Sequence, residues 1–286
     1  MKDEKIKVIF VGGLTNGKIV HDYLAKNRYV DLQASFTYPE DFAGARYVKI
    51  EGEESIARSG SLTDYLQFIK SKQPDLILVA GWSELIPDEL LDVPPMGVIG
   101  FHPSKLPNDR GRSVLAWQIE DGYTETALTM FKYSNYPDGG DIIAQETIKI
   151  EDNDYINDVL DKIDKATTNL IKAYFPLIRK GQVAPRKQDL SVGQFRRLRN
   201  ETDSEIDWNQ NSQVIYDKIR AISHPYPGAA TTLNNLRYKV WRSKVVKESI
   251  IGESVRPGVV VAKYYNNDLL VRTKDGYLLL TEYEEL

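Results

Sequence analysis

Residues 97–112 read GVIGFHPSKLPNDRGR, an apolar run that passes into a polar loop. The first half predicts the end of a buried strand, and His102, one of three histidines in the chain, follows at its end. In open α/β sheets, the crevice beyond the carboxyl ends of the strands is the usual ligand site. Histidine is a frequent general base and also a frequent partner in loop hydrogen bonds, so this segment alone leaves both interpretations open.

A second polar loop, YPDGGDII over residues 136–143, follows the strand-like run 127–131. It places Asp138 within Pro-Asp-Gly, a sequence that is common in turns. A turn aspartate with no chemical role is therefore one interpretation of this residue. The other depends on its distance along the chain from His102.

Together the two loops resemble those of the formyltransferases that use N10-formyltetrahydrofolate. That family carries a His-Pro-Ser-x-Leu-Pro loop, an Arg-Gly pair and an Asp-x-Gly-Asp-Ile loop. Its catalytic aspartate lies 36 residues after its histidine, which matches Asp138 here (138 − 102 = 36) and not Asp141. The resemblance implies that His102 is the general base for formyl transfer to an amine, and that Asp138 orients the ring and favours its charged form.

The overall composition is that of a globular protein and narrows the chemistry. The 286 residues suffice for two domains, with 42% hydrophobic and 27% charged residues. A net charge of −4 argues against a large nucleic-acid footprint, and zero cysteines exclude disulfides, thiol catalysis and Cys-bound zinc. Three scattered histidines give no metal-ligand spacing, so we expect no metal. Lacking an apolar signal core or a membrane-length apolar run, the chain is expected to be cytoplasmic and without a membrane partner.

Strand and helix patterns alternate through the first part of the chain. Apolar strand patterns occupy residues 6–11, 32–37 and 76–80, and the continuous run 76–80 is typical of a parallel strand covered on both faces. Helix patterns intervene, including one over 113–119 whose Val114, Trp117 and Ile119 we expect to pack on the sheet, and a long one over 154–179. This order predicts an α/β fold with a Rossmann-like, mostly parallel sheet flanked by helices.

The last sixty residues contain short strands separated by Asn-, Gly- and Asp-containing turns. The strand patterns lie at 230–233, 237–241, 258–262, 268–271 and 276–280. They predict a small all-β domain, and the family resemblance favours an OB-like barrel. We therefore divide the chain into a catalytic domain (1–184), a linker with a helix (185–229) and a C-terminal β domain (230–286).

The glycine-rich turn Gly12-Gly13-Leu14-Thr15-Asn16-Gly17 joins the first strand to the first helix. Such a turn can bind an anion at a helix N-terminus, but these glycines do not fit the dinucleotide-binding pattern. A plain tight turn explains them equally well. Asn16 remains a candidate for binding substrate.

The resemblance also implies binding positions around these loops. Backbone atoms of Glu84, Leu85 and Ile86 correspond to the family's contacts with the pterin ring. The remaining candidates for binding the folate co-substrate are Arg112, Tyr136 and Asp138, and those for binding the acceptor are Asn16, Arg110, Arg199 and Tyr226.

At one position the chain departs from the family pattern. The family has Asn-x-His, in which the asparagine amide donates to the oxyanion, whereas this chain has Gly100. Oxyanion stabilisation needs a placed donor and not a given residue type. Candidates are the side chain of Asn108, a backbone N–H or Arg112, with a turn cap as the alternative role of Asn108.

A third segment bears on the identity of the acceptor. The Asp207-Trp208 pair, the helix after it and the Pro-Tyr-Pro-Gly-Ala turn over 225–229 resemble the linker of the family's sugar-nucleotide branch, and Arg199 matches an arginine nine residues before its tryptophan. We expect N10-formyltetrahydrofolate as co-substrate and a nucleotide-linked amino sugar as partner, with dTDP-4-amino-4,6-dideoxyglucose ahead of UDP- and GDP-sugars. Methionyl-tRNA formylation, or a folate- or sugar-nucleotide-binding protein with a weak site, are the alternatives. A homodimer is plausible.

Overall fold

The structure is a computed structural model that describes residues 4–52, 55–57, 61–246 and 255–286. The chain folds into two compact units, each built from separate stretches of sequence. Unit 1 contains Met1–Arg112, Thr126–Ile148 and Asp161–Arg196, and unit 2 contains Ser113–Glu125, Lys149–Leu160 and Arg197–Leu286. These units cut across the domain boundaries after residues 184 and 229, which stay a sequence prediction.

A seven-stranded sheet forms the centre of unit 1, and two short strands pair beside it. The strands of the first two-thirds of the chain are β1 (Ile6–Gly12), β2 (Val30–Thr37), β3 (Ser55–Ala57), β4 (Leu76–Ala80), β5 (Val98–His102), β6 (Asp109–Gly111), β7 (Glu125–Lys132), β8 (Ile142–Lys149) and β9 (Gln194–Arg196). The large sheet has the order β3-β2-β1-β4-β5-β7-β8, and β6 pairs with β9.

The pairing confirms the predicted Rossmann-like, mostly parallel sheet. Strands β3, β2, β1, β4 and β5 run parallel to their neighbours, and β7 runs antiparallel to β5. Every residue of β4 is buried, as are Val8–Val11 of β1, because central parallel strands are covered on both faces. The three-residue strands β3, β6 and β9 carry no periodic pattern long enough to have been predicted.

Six α-helices and two short 3₁₀-helices accompany the strands in the described ranges. The α-helices are α1 (Leu14–Ala25), α2 (Leu66–Lys72), α3 (Asp88–Leu91), α4 (Val114–Glu120), α5 (Ile156–Arg179) and α6 (Ser212–Ile222), and the 3₁₀-helices are Leu62–Tyr65 and Glu201–Ser204. Among the described residues, no helix has both the length and the apolar character needed to cross a bilayer.

Five antiparallel strands form the sheet of unit 2. They are β10 (Ala229–Leu233), β11 (Leu236–Val246), β12 (Val260–Lys263), β13 (Leu269–Arg272) and β14 (Tyr277–Glu285), in the order β10-β11-β14-β13-β12. Each of these strands begins within two residues of the start that the sequence predicted for it. The predicted C-terminal all-β domain is therefore confirmed.

Helix α4 does not pack as its apolar face suggested. It belongs to unit 2, where it packs against α6, and not to the unit of the parallel sheet. The indole N–H of Trp117 donates to the carbonyl oxygen of Arg197 at 2.9 Å, and the guanidinium of Arg199 lies 4.1 Å from the ring centre. Apolar spacing shows which face a helix buries but not which neighbour covers it.

The glycine-rich turn packs tightly against the end of β4. The backbone N–H of Gly13 points at the carbonyl oxygens of Ala80 and Gly81, at 3.3 and 3.1 Å. A Cβ atom added to Gly12 would lie 2.0 Å from the Ala80 carbonyl oxygen. Asn16 accepts the N–H of Gly17 at 3.0 Å. These contacts favour a tight turn over an anion site, because the Gly13 N–H is already used within the protein.

We expect Gly81→Ala to destabilise the protein more than Gly97→Ala. Both glycines have left-handed φ values, +61° and +85°, so alanine costs about 1–3 kcal/mol in strain at either. Only at Gly81 does the added Cβ meet backbone, 2.0 Å from the Gly13 carbonyl oxygen, which adds about 1–3 kcal/mol of overpacking. Urea unfolding of the two variants tests this, and equal losses of unfolding free energy would contradict the packing argument.

Candidate active site

His102 ends strand β5 at the carboxyl edge of the parallel strands. Its side chain is buried and its position in the sheet lies opposite Thr129 of β7. The ring atom Nδ1 lies 3.5 Å from Oδ1 of Asp138. The structure therefore brings together the histidine and the aspartate that the 36-residue spacing had matched.

Asp138 is held in place by its own loop. Its φ of +54° is in the left-handed region, which aspartate tolerates better than most residues. Its Oδ2 accepts the backbone N–H of Gly111 at 2.8 Å, and the side-chain amide of Gln188 donates to the carbonyl oxygens of Asp138 and Gly140 at 2.9 and 2.6 Å. The carboxylate is thus fixed beside the imidazole. Gln188 lay in the predicted linker, and nothing in the sequence marked it.

The second ring nitrogen of His102 also has a partner. Nε2 lies 2.9 Å from the backbone carbonyl oxygen of Asp109. A carbonyl oxygen can only accept, so Nε2 carries the hydrogen in this arrangement. For Nε2 to take a proton from an incoming amine, the ring hydrogen has to move to Nδ1, which faces the Asp138 carboxylate, and the amine has to replace the Asp109 carbonyl oxygen as the partner of Nε2.

The Asp109 side chain anchors this loop from inside the protein. It is fully buried, and its Oδ1 accepts from Nε of Arg196 at 2.7 Å and from the amide of Gln194 at 3.0 Å. The same contacts join β6 to β9, which pair in parallel. Residues 194–196 had been assigned to a linker, so sequence reasoning missed both partners of Asp109.

Most of the predicted folate-binding residues are exposed; Ile86 is buried and Asp138 is half-buried. Glu84 and Leu85 are exposed after β4, whereas the side chain of Ile86 is buried in the core. Arg112 is exposed, and its backbone N–H donates to the Arg196 carbonyl oxygen at 2.9 Å. Tyr136 is 47% exposed. A backbone role for 84–86 is compatible with the burial of Ile86, and folate binding by these residues stays a prediction.

Two of the arginines predicted to bind substrate make contacts within the protein. Arg110 is buried and donates to the carbonyl oxygens of Val192 and Leu190, at 3.1 and 3.4 Å. Arg199 pairs with Glu120 at 2.6 Å. Arg199 and the half-buried Tyr226 belong to unit 2, and His102 belongs to unit 1. Substrate binding by Asn16, Arg110, Arg199 and Tyr226 stays a prediction.

Asn108 occupies an exposed turn. Its backbone N–H donates to the Lys105 carbonyl oxygen at 3.0 Å, and its own carbonyl oxygen accepts from Gln194 at 2.7 Å. Both bonds are made by the backbone, which favours the turn interpretation. A role of its side-chain amide at an oxyanion stays a prediction.

Tyr133 occupies the space next to Gly100, where the family pattern has an asparagine. A Cβ atom built on Gly100 would lie 2.3 Å from Cε2 of Tyr133 and 3.2 Å from its hydroxyl oxygen. Burial raises the pKa of the Tyr133 hydroxyl well above its usual range, and the negative charge of Asp138 adds to this effect. Sequence reasoning missed this residue, because the strand-like run 127–131 ends before it.

The described ranges contain no group of three His, Cys, Asp or Glu side chains placed to hold a metal ion. The chemistry that the described residues offer is a histidine between a carboxylate and a backbone carbonyl, with the protonated phenol of Tyr133 just after the adjoining strand. This set suits proton transfer to and from a nitrogen.

Comparisons with known proteins identify relatives of the whole chain. Residues 4–174 match the formyl transferase family, and residues 199–285 match the formyl transferase C-terminal domain. The chain is similar to methionyl-tRNA formyltransferase of Bacillus subtilis (strain 168), with 31% identity over 221 residues, which are 77% of this chain and 68% of that enzyme.

Two solved structures share the fold. HypX from Aquifex aeolicus in complex with tetrahydrofolic acid is similar with a TM-score of 0.71 and 17% identity over 99% of this chain, which spans 44% of the length of HypX. WlaRD, a sugar 3N-formyl transferase solved in the presence of dTDP and 5-N-formyl-THF, is similar with a TM-score of 0.68 and 18% identity, covering 99% of this chain and 98% of WlaRD. At these identities the likeness is one of fold.

We expect Arg196→Met to destabilise the protein by about 3–5 kcal/mol, because it leaves the buried Asp109 carboxylate without its cation. The matched control is Lys49→Met, which breaks an exposed pair with Glu40 and should cost no more than about 1 kcal/mol. Urea unfolding measures both. The double variant Asp109→Asn with Arg196→Met removes both charges and should recover part of the lost unfolding free energy. An Arg196→Met variant as stable as the Lys49→Met control would show that the ion pair does not stabilise this loop.

Proposed function

Because this chain belongs to the formyl transferase family, we propose that it transfers a formyl group from N10-formyltetrahydrofolate to the amino group of a nucleotide-linked amino sugar. The acceptor we favour is dTDP-4-amino-4,6-dideoxyglucose. The observation that carries the proposal is the pairing of His102 with Asp138 at the carboxyl end of β5, 3.5 Å apart.

The first step forms a bond between the acceptor nitrogen and the formyl carbon. The carbonyl electron pair moves onto the formyl oxygen, which becomes an oxyanion. For this step the neutral ring carries its hydrogen on Nδ1, which faces Asp138, and the amine has taken the place of the Asp109 carbonyl oxygen at Nε2. The attacking nitrogen becomes positively charged and gives a proton to the lone pair of Nε2. Asp138 remains ionised beside Nδ1 and balances the charge that the ring acquires.

The second step breaks the bond between the formyl carbon and N10. The oxyanion re-forms the carbonyl, and His102 returns the proton to N10 of the departing tetrahydrofolate. One imidazole thus serves as base and then as acid, and no proton is gained or lost over the cycle. The products are a formamide on the sugar and tetrahydrofolate.

The charge of the C-terminal region supports a small acceptor over tRNA. Between residues 199 and 285, twelve lysines and arginines are balanced by twelve aspartates and glutamates. Binding a polyanion relies on a concentration of positive charge that neutralises phosphates. A region without net charge is poorly suited to binding a tRNA. It is sufficient for a nucleotide with two phosphates, which needs only a few positive groups.

The second support comes from the linker, because the lengths of the similarities do not separate the two acceptors. The chain aligns with 98% of the sugar 3N-formyl transferase and with 89% of the methionyl-tRNA formyltransferase of Halalkalibacterium halodurans. A sugar-nucleotide acceptor also agrees with the Asp207-Trp208 and Pro-Tyr-Pro-Gly-Ala segments. Methionyl-tRNA remains the second candidate, because sequence relatives at 31% identity carry that name.

The deciding experiment measures tetrahydrofolate release with a panel of acceptors. The panel contains dTDP-, UDP- and GDP-linked amino sugars with the amine at C3 or C4, and initiator methionyl-tRNA as the competing acceptor. We expect turnover with an amino sugar nucleotide and none with the tRNA. Turnover with the tRNA alone would overturn the acceptor that we propose while leaving formyl transfer intact.

We expect His102→Asn to lower kcat by at least about 10²-fold, because general acid–base catalysis contributes about 10²–10⁴-fold. The variant should still bind 5-formyltetrahydrofolate, since the imidazole contacts only the Asp109 carbonyl oxygen and the Asp138 carboxylate among the hydrogen-bond and ion-pair partners described. Steady-state kinetics and calorimetric titration test the two parts. A kcat within about tenfold of the wild type would remove His102 as the base.

We expect Asp138→Asn to fold normally and to lose about tenfold or more in kcat. The asparagine oxygen can still accept the Gly111 N–H, but the negative charge next to Nδ1 is gone. Thermal unfolding should change little, which separates this effect from a damaged loop. An unchanged kcat together with an unchanged melting temperature would show that Asp138 is a turn residue without a catalytic role.

A further inference from the structure

Formyl transfer places negative charge on the formyl oxygen in the transition state. Enzymes stabilise such an oxyanion with a hydrogen-bond donor that is already in position, and loss of one donor typically costs about 10²–10³-fold in rate. Gly100, two residues before His102, has no side chain to offer. The donor therefore comes from elsewhere, and a side chain on the same face of the sheet as His102 is well placed to supply it.

The register of β5 and β7 identifies which residues share that face. Side chains alternate along a strand, so positions 100 and 102 point to the same side. Gly100 lies opposite Phe131, and His102 lies opposite Thr129, so these four positions share one face. Tyr133 follows the last residue of β7, and its backbone N–H donates to the Val98 carbonyl oxygen, which extends the pairing with β5 so that residue 133 continues the series 129, 131, 133.

Tyr133 fills the place that a side chain at residue 100 would occupy. Its ring approaches Gly100 so closely that a Cβ atom there would lie 2.3 Å from Cε2, with the hydroxyl oxygen 3.2 Å away. The ring stacks on Phe131 at 5.0 Å between centres, and its backbone N–H donates to the Val98 carbonyl oxygen at 2.8 Å. The hydroxyl is therefore held at about the reach of an amide at residue 100, on the His102 face.

The Tyr133 hydroxyl has a proton to donate. Burial raises its pKa, and so does the nearby Asp138 charge, so the phenol stays protonated throughout the neutral range. Among the residues that the structure describes, no hydrogen bond to this hydroxyl is found. The proton is thus available to an incoming oxygen atom.

We propose that the Tyr133 hydroxyl donates a hydrogen bond to the oxyanion of the formyl group during transfer, in the place of a side chain at residue 100. The proposal rests on the proposed formyl transfer but not on the identity of the acceptor. It explains why residue 100 is glycine, since any larger residue would displace the tyrosine ring. It also assigns the role to a residue held by a stacked ring and not to the exposed turn residue Asn108.

The test is Tyr133→Phe, which keeps the stacked ring and removes only the hydroxyl. We expect kcat to fall about 10²–10³-fold, with KM for both substrates within about threefold of the wild type, because the bond is made to the oxyanion and not to the ground state. The matched control is Tyr23→Phe, at a partly buried tyrosine whose ring packs edge-on against Phe175 at 5.6 Å and which should keep its activity. Thermal unfolding and binding of 5-formyltetrahydrofolate should be unchanged in both variants.

Further variants place a hydrogen-bond donor at residue 100 in the position of the tyrosine hydroxyl. Gly100→Asn alone should disturb the fold, because its side chain meets the tyrosine ring. Gly100→Asn combined with Tyr133→Ala removes that clash and should recover part of the activity that Tyr133→Ala alone loses. A purely structural tyrosine would give no such recovery in kcat.

A second readout separates this proposal from the proposed acceptor. Hydrolysis of N10-formyltetrahydrofolate, with water in place of the amine, passes through the same oxyanion and needs no acceptor. Slower hydrolysis by Tyr133→Phe would support the role even if no amino sugar in the panel is a substrate. An active wild type and an equally active Tyr133→Phe would overturn the role of Tyr133 alone. A wild type with neither transfer nor hydrolysis would overturn the proposed function and this role with it.

Discussion

The arrangement of the site depends on one buried carboxylate. Asp109 is fully buried; the guanidinium of Arg196 balances its charge, and the amide of Gln194 donates a second hydrogen bond to it. The same residue directs its backbone carbonyl oxygen at Nε2 of His102. A buried charge is costly unless it is paired and hydrogen-bonded, so the Asp109 carboxylate has to stay beside Arg196. This ion pair holds the loop, and the loop places the Asp109 carbonyl oxygen against Nε2. The position of the imidazole thus depends on an ion pair that takes no part in the reaction.

The other side of the imidazole is ordered by backbone contacts. Asp138 is held by the Gly111 N–H, and its loop by the amide of Gln188. Both ring nitrogens therefore have partners: Nε2 faces a carbonyl oxygen, and Nδ1 faces a carboxylate. The carboxylate stabilises the positive charge that the ring acquires when the amine gives up its proton. The site therefore favours the tetrahedral intermediate over the ground state. The exchange of the Asp109 carbonyl oxygen for the amine connects binding with proton transfer.

Two arginines that the sequence predicts to bind substrate, Arg110 and Arg199, make contacts within the protein. Arg110 holds the backbone at residues 190 and 192, and Arg199 pairs with Glu120. A long acceptor rich in phosphates would need more uncommitted positive charge than these arginines provide. The same consideration gives Tyr133 its importance, because a neutral donor stabilises an oxyanion without requiring a buried cation.

The sequence alone predicted the mostly parallel sheet and the all-β C-terminal strands, because an apolar run such as 76–80 is visible within a few residues. The pairing of His102 with Asp138 followed from the resemblance of their two loops, with its 36-residue spacing, to the formyltransferase family. Only the tertiary structure decided that Arg196 clamps Asp109 across 87 positions, that Gln188 fixes Asp138 across 50, and that α4 packs against α6. It likewise placed Tyr133 over Gly100. Contacts of this kind leave no periodic trace, because they depend on how distant segments meet and not on the order of neighbours along the chain.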